Sequence, residues 1–127
     1  MDTGDVRFGY IHFAFLGEES TTSAAATECA AEQDMFWEYH DALFEEGNWR
    51  QFDDESLKRV GSELGLDTEE FDECIDSGRT VALVQRDSGF ARQLGVSSTP
   101  TFAVNGRPIQ GALPFEQFQR LIEEMLP

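Results

Sequence analysis

The dipeptide Asn105-Gly106, set between Thr101-Phe102-Ala103-Val104 and Arg107-Pro108-Ile109-Gln110, constrains this chain more than any other feature. A two-residue connection of this composition accepts positive φ at both positions and matches the twist of an antiparallel hairpin. One strand is therefore expected over 101–104 and its return over 108–110. Pro108 has no N–H to give a neighbour, which suits a sheet edge. Pro114 then opens a last helix, with Phe115, Phe118, Leu121, Ile122 and Met125 at helical spacing and Glu116, Glu123 and Glu124 on its wet side.

The rest of the chain is mostly helical in pattern. The Ala-rich stretch from Ser20 to Glu32 has high helix propensity, and Asp34 is expected to cap a helix through Phe36, Trp37, Tyr39, Leu43 and Phe44 that stops at Gly47. Asp53 or Asp54 caps a third helix through Leu57, Val60 and Leu64. Asp67 or Thr68 caps a fourth through Phe71, Cys74 and Ile75 up to Gly78. A fifth is expected from about Thr80 to Leu94, with Val81, Val84, Phe90 and Leu94 inward and Gly95 as its stop. Residues 6–16, apolar on both alternating sets, are expected to form a central strand buried on two faces. A strand, a helical insertion, a hairpin and a closing helix give an α/β order. Three strands are few for a domain of this size, so a strand is missing.

The 127 residues are enough for a single domain, 1–127, and too few for two independent ones. A hydrophobic fraction of 40% with 11 Phe separates the chain from acidic disordered segments, so the acidity belongs to a folded surface. Asp and Glu number 25 against 9 basic residues, of which only Lys58 is lysine. The resulting charge of -16 excludes nucleic acid and anionic membranes as natural partners. It fits either an ordinary solvated exterior or a protein evolved for concentrated salt. Met1 is followed by Asp2, Thr3, Gly4 and Asp5, which is not an export signal, and no apolar run is long enough for a membrane span.

The segment from Gly95 through Val96-Ser97-Ser98-Thr99-Pro100-Thr101-Phe102-Ala103-Val104-Asn105-Gly106 to Ala112 resembles the C-terminal signature of DsbA-like thioredoxin-fold proteins. The stretches His12-Phe13-Ala14-Phe15-Leu16-Gly17-Glu18-Glu19-Ser20 and Glu28-Cys29-Ala30-Ala31-Glu32-Gln33-Asp34-Met35-Phe36-Trp37 resemble the strand exit and helical insertion of the same family. The resemblance implies a thioredoxin-like fold of DsbA type that is incomplete at its N-terminus, with the insertion over about 19–94. It places a strand, a Cys-x-x-Cys loop and a long helix before the first residue here, so Met1 is not expected to be the natural start. It also implies a cell-envelope or extracytoplasmic location.

By the same resemblance Ser98, Thr99 and Pro100 form the substrate-binding loop, with Pro100 cis and the backbone of Thr99 presented to a peptide. Cys29 and Cys74 are separated by 45 positions and cannot be the two halves of a redox motif, which needs both thiols on one helix-start turn. No catalytic residue is expected in this chain. Relatives sometimes carry a non-catalytic disulfide in the insertion, so Cys29 and Cys74 are either a structural bridge or two buried thiols packed as small hydrophobes. A zinc site from Cys29, Cys74, His12 and His40 lacks ligand-pair spacing, and neither a metal nor a cofactor is expected. Phe36, Tyr39 and Leu43 recur at helical spacing and read as core, and His12 as a hydrogen-bonded core histidine. His40, beside Asp41, has no nucleophile near it in sequence, so no hydrolase triad is argued.

Three functions compete at this level. The first is the C-terminal portion of a thiol:disulfide oxidoreductase acting on cysteine-containing proteins or peptides, itself without the dithiol. The second is a redox-silent thioredoxin-like module that binds peptides or a partner. The third is a relative of kappa-type glutathione-dependent transferases and isomerases, disfavoured by the polar Thr99. Loss of the catalytic strand is expected either to let 6–16 pair directly with 101–104, or to leave an open sheet edge through which the chain forms a homodimer or swapped oligomer.

Overall fold

The computed structural model describes residues 1–45 and 52–127. Among them the order is α1 (Glu18–Ala31), α2 (Phe36–Glu45), α3 (Asp54–Glu63), α4 (Thr68–Ser77), α5 (Val81–Gln93), β1 (Thr101–Val104), β2 (Arg107–Gln110) and α6 (Phe115–Met125). The chain divides into two compact units, one of His12–Phe90 and one of Met1–Ile11 with Ala91–Pro127.

In the His12–Phe90 unit the helix boundaries follow local chemistry. Asp53 caps α3 by accepting from the Ser56 N–H at 2.8 Å, and Asp67 caps α4 by accepting from the Glu70 N–H at 3.1 Å. Gly78 ends α4 in the left-handed conformation, φ 66. Asp34 does not cap α2 as the pattern suggests. It sits at φ 58 in the turn after α1, its N–H bonded to the Ala31 carbonyl, and α2 begins two residues later. Gly47, the expected stop of α2, lies outside the described residues.

Four of these helices meet in one apolar cluster, with Ala26, Ala30, Tyr39, Leu57, Val60 and Phe71 at its centre. The Tyr39 hydroxyl is buried and donates to the Leu57 carbonyl at 2.8 Å, so α2 is fastened to α3 without an unsatisfied polar group. Gly61 lets α3 approach α4. A Cβ there would fall 2.6 Å from Cε2 of Phe71, whose ring is 1% exposed. At the surface Gln33 and Asp67 exchange two bonds, the Gln33 amide pairing with the Asp67 N–H at 2.8 Å and its carbonyl at 3.2 Å. Arg79 grips Glu32 with two guanidinium nitrogens, at 3.2 and 2.7 Å, which holds the Glu32 carboxyl below its ordinary range.

Residues 6–16 are not a strand, and the sheet among the described residues has two strands rather than three. An extended segment becomes a strand only when a neighbour supplies the ladder. Here α5 side chains take that place for part of the segment. The His12 N–H donates to Asp87 at 3.2 Å, the Ala14 N–H donates to the Ser88 hydroxyl at 3.1 Å, and that hydroxyl also contacts the His12 carbonyl at 3.4 Å. Without a covering sheet Phe8, Ile11, Phe15 and Leu16 stay exposed, against the expected two-sided burial. Nor do 6–16 pair with 101–104.

In the other unit the hairpin forms as its turn dictates. Asn105 and Gly106 take φ 48 and 82, and the register pairs Phe102 with Ile109 and Val104 with Arg107. Phe102 of β1 packs edge-on against Phe118 of α6, centroids 4.7 Å apart. No residue of α6 is fully buried, and Phe115 is 74% exposed. Phe90 and Leu94, expected inward on α5, are also exposed, whereas Val84 is buried.

Candidate functional site

The loop of Ser98, Thr99 and Pro100 is set between a helix stop and a strand start. Gly95, at φ 86, ends α5, with its N–H bonded to the Arg92 carbonyl and that of Val96 to the Ala91 carbonyl. Ser98 is then held twice. Its carbonyl accepts from the Thr101 hydroxyl at 2.7 Å and its own hydroxyl accepts from the Gln110 amide at 3.0 Å. The Pro100 carbonyl accepts from the Gly111 N–H at 2.9 Å, extending the hairpin ladder by one rung. The Thr99–Pro100 peptide bond is cis. Ser98 is half-buried while Thr99 and Pro100 are exposed, so the loop offers a pinned backbone to solvent.

Thr101 and Gln110, the residues that fasten the loop, carried no functional signal as isolated side chains. The hairpin register could have exposed them, because it sets them opposite each other at the open end of the ladder beside Ser98.

Cys29 and Cys74 are bonded to each other, S–S 2.04 Å, with their Cα atoms 5.8 Å apart. Each is 1% exposed, between α1 and α4 in the core. The Thr80 hydroxyl lies 3.6 Å from the Cys29 sulfur and donates to the Ala25 carbonyl at 2.8 Å. A disulfide this buried cannot meet an incoming thiolate without local opening. Its sulfurs are equally closed to a metal, which removes both cysteines from any zinc set.

His12 is 3% exposed and places Nε2 2.7 Å from Oε1 of Glu28. The carboxylate can only accept, so Nε2 carries the proton. With the Asp87 and Ser88 contacts this fastens the residue to both α1 and α5, a structural role. His40 pairs with Asp41 at 3.0 Å and lies among the rings of Phe36, Trp37 and Phe44 on α2. Phe44 is 72% exposed, whereas Tyr39 and Leu43, which the spacing assigns to the core, are buried.

Comparison with known proteins places this arrangement. A family model described as thioredoxin matches residues 1–124. The chain belongs to the thioredoxin family. Within that family it is similar to disulfide bond formation protein D of Bacillus subtilis (strain 168), 28% identical over 136 aligned positions that cover 99% of this chain and 60% of that protein. A Na(+)/H(+) antiporter NhaA of Herminiimonas arsenicoxydans is 39% identical over 90 positions, covering 71% of this chain and 14% of the antiporter. Among solved structures a thioredoxin-like oxidoreductase from Silicibacter pomeroyi DSS-3 superposes with a TM-score of 0.74 at 25% identity, over 91% of this chain and 65% of that one. The chain thus spans less than two thirds of the Bacillus protein and a small part of the antiporter. The fold is the α/β thioredoxin-like fold, here mostly helical with a two-stranded hairpin.

Proposed function

We propose that this thioredoxin-family chain is the peptide-docking portion of a thiol:disulfide oxidoreductase of DsbA type, acting on cysteine-containing proteins or peptides. The observation that carries this reading is the superposition of 91% of the chain on a thioredoxin-like oxidoreductase. Similarity to disulfide bond formation protein D over 99% of the chain supports it. In this reading Ser98, Thr99 and Pro100 align the substrate backbone, and the attacking thiolate comes from outside these 127 residues. Thiol-disulfide exchange needs an accessible low-pKa thiolate, and both cysteines of the chain are tied in a buried bridge. That bridge also favours an extracytoplasmic setting, since disulfides persist where glutathione and thioredoxin do not reduce them.

The buried bridge equally favours a second reading, a redox-silent module that binds extended peptides through the same loop. The two separate cleanly. In an insulin-reduction assay with dithiothreitol the 127-residue chain is expected to stay at background, and the coding DNA upstream of Met1 is expected to carry an in-frame Cys-x-x-Cys. Acceleration by this chain alone overturns the assignment of the dithiol elsewhere. Translation starting at Met1, with peptide binding intact, overturns the oxidoreductase in favour of the silent module.

A further inference from the structure

The dipeptide that sets the hairpin turn also carries a chemistry of its own. Asn105 and Gly106 are both exposed, at φ 48 and 82, and the register closes the two-residue loop on Val104 and Arg107. In a loop of that length the closing N–H belongs to the residue after the turn, Arg107, so the Gly106 nitrogen lies outside the ladder. It is also uncovered on the side where a side chain would stand, because a Cβ built on Gly106 meets no atom within 4 Å. The Asn105 side chain reaches α6, where Nδ2 donates to Sδ of Met125 at 3.7 Å, a weak acceptor. The turn keeps this pair in place, since positive φ at both positions restricts it to Asn-Gly, Asp-Gly or Gly-Gly.

We propose that Asn105 is a site of spontaneous deamidation and that the change uncouples the turn from α6. The Gly106 nitrogen attacks Cγ of Asn105, and the new C–N bond closes a succinimide ring. The Cγ–Nδ2 bond breaks, and the amide leaves as ammonia with the proton given up by Gly106. Water then opens the ring. Attack at Cγ breaks its bond to the Gly106 nitrogen and leaves an aspartate at this position. Attack at the main-chain carbonyl carbon breaks the original peptide bond instead and leaves an isoaspartate, whose chain runs on through Cβ and Cγ. Either route consumes one water and releases one ammonia, with no oxidant or reductant.

Both products replace an amide donor by a carboxylate, which can only accept, so the bond to Met125 is lost in each. The new charge is the first acid between Ser88 and Phe115, a stretch whose charged residues are Arg92 and Arg107. The two products differ in their backbones. Asp-Gly suits the same turn, so the aspartyl product keeps the hairpin. Isoaspartate lengthens the main chain at a loop whose two residues fix the register, and Val104 no longer closes on Arg107. The packing of Phe118 on Phe102 then has to hold α6 against a loosened hairpin.

To test this, the 127-residue chain is held in mildly alkaline buffer and digested at intervals for peptide mass mapping, with isoaspartate labelled by an isoaspartyl methyltransferase. Asn48 is the internal standard, because the bulky Trp49 follows it. Loss of the Asn105 amide well ahead of that of Asn48 is expected, with methyl label on the Asn105 peptide. Asn105→Gly, which keeps a dipeptide suited to the turn, is expected to abolish the label with matching circular dichroism. The digest itself needs no variant, so it decides the matter even where Asn105→Gly does not fold. In hydrogen exchange the isoaspartyl fraction is expected to lose protection across β1, β2 and α6, and Asn105→Asp only in the last turn of α6. Equal conversion at the two asparagines, an Asn105 amide still intact when a free peptide spanning 101–110 has fully converted, or an isoaspartyl fraction as protected as the unaltered chain overturns the proposal.

Discussion

Removing the Cys29–Cys74 bridge should cost this chain a large fraction of its stability, and the magnitude follows from where the bridge lies. The cysteines are separated by 45 positions and join α1 to α4, so the bond denies the unfolded chain the entropy of opening that loop. On the chain-entropy relation this amounts to about 4 kcal/mol at 25 °C. A two-state chain of this length gains roughly 0.27 kcal/mol per kelvin of unfolding entropy, so the melting temperature should fall by roughly 15 °C. The double variant Cys29→Ala/Cys74→Ala leaves the Thr80 bond to the Ala25 carbonyl in place, which makes it a clean test. Thermal melts followed by circular dichroism would compare it with the unaltered chain before and after reduction. Because each cysteine is only 1% exposed, the reductant should act slowly below the transition and fast within it, as mass analysis after alkylation would record. A melting temperature shifted by less than about 3 °C, or complete reduction of the folded chain within seconds, would refute the loop-constraint argument.

Four further outcomes follow from the packing and the surface charges. Gly61→Ala, despite better helix propensity, should destabilise by about 1–2 kcal/mol in urea unfolding, because its Cβ meets the buried Phe71 ring at 2.6 Å. Tyr39→Phe should cost about 1–2 kcal/mol in the same assay by leaving the Leu57 carbonyl without its side-chain donor. The hydrogen bonds from Arg79 keep Glu32 below its ordinary 4.5, and the Ser56 N–H keeps Asp53 below 3.8. Both folded values are depressed, so their stabilisation is complete above the ordinary values and lost as pH falls through the lowered ones. Glu32→Gln with Asp53→Asn should therefore flatten the stability loss below about pH 4.5. In native-state hydrogen exchange the amides of β1 and β2 should exchange faster than those of α1 and α4, and the reverse order would contradict the burial pattern.

How much of this was legible in the sequence depended on whether the signal was local. Asn105-Gly106 specified its turn because both residues accept positive φ, and Asp53, Asp67 and Gly78 marked helix ends through bonds made within a few residues. Residues 6–16 misled because apolar alternation records what a segment could bury, whereas a strand also needs a neighbour's backbone. Phe90 and Leu94 misled for a related reason: helical spacing gives the face, and only tertiary packing decides whether that face is covered. Asp34 has the residue type of a cap, but its φ of 58 places it in a turn that Asn, Asp and Gly all enter. At the loop, Ser98, Thr99 and Pro100 were identified by resemblance. Their attachment through Gln110 depends on strand register, which appears in the sequence only once the hairpin is drawn.

The distribution of burial bears on how such a chain can work. The largest fully buried side chains, Tyr39, Phe71, Leu57, Val84, Cys29 and Cys74, all belong to the His12–Phe90 unit. The candidate loop and the hairpin belong to the other unit, where Ala91 alone among the described residues falls in the buried apolar core and α6 contributes no fully buried residue. Opening free energy scales with buried apolar contact, so the backbone at 98–104 must be among the easiest parts of the chain to rearrange. On the proposed peptide-docking reading this is an advantage, because an incoming extended segment orders the backbone that it binds. The disulfide adds its constraint where the core is already dense and leaves the loop untouched. If the loop docks peptides as proposed, damage to the bridge should lower the melting temperature without changing what the loop binds.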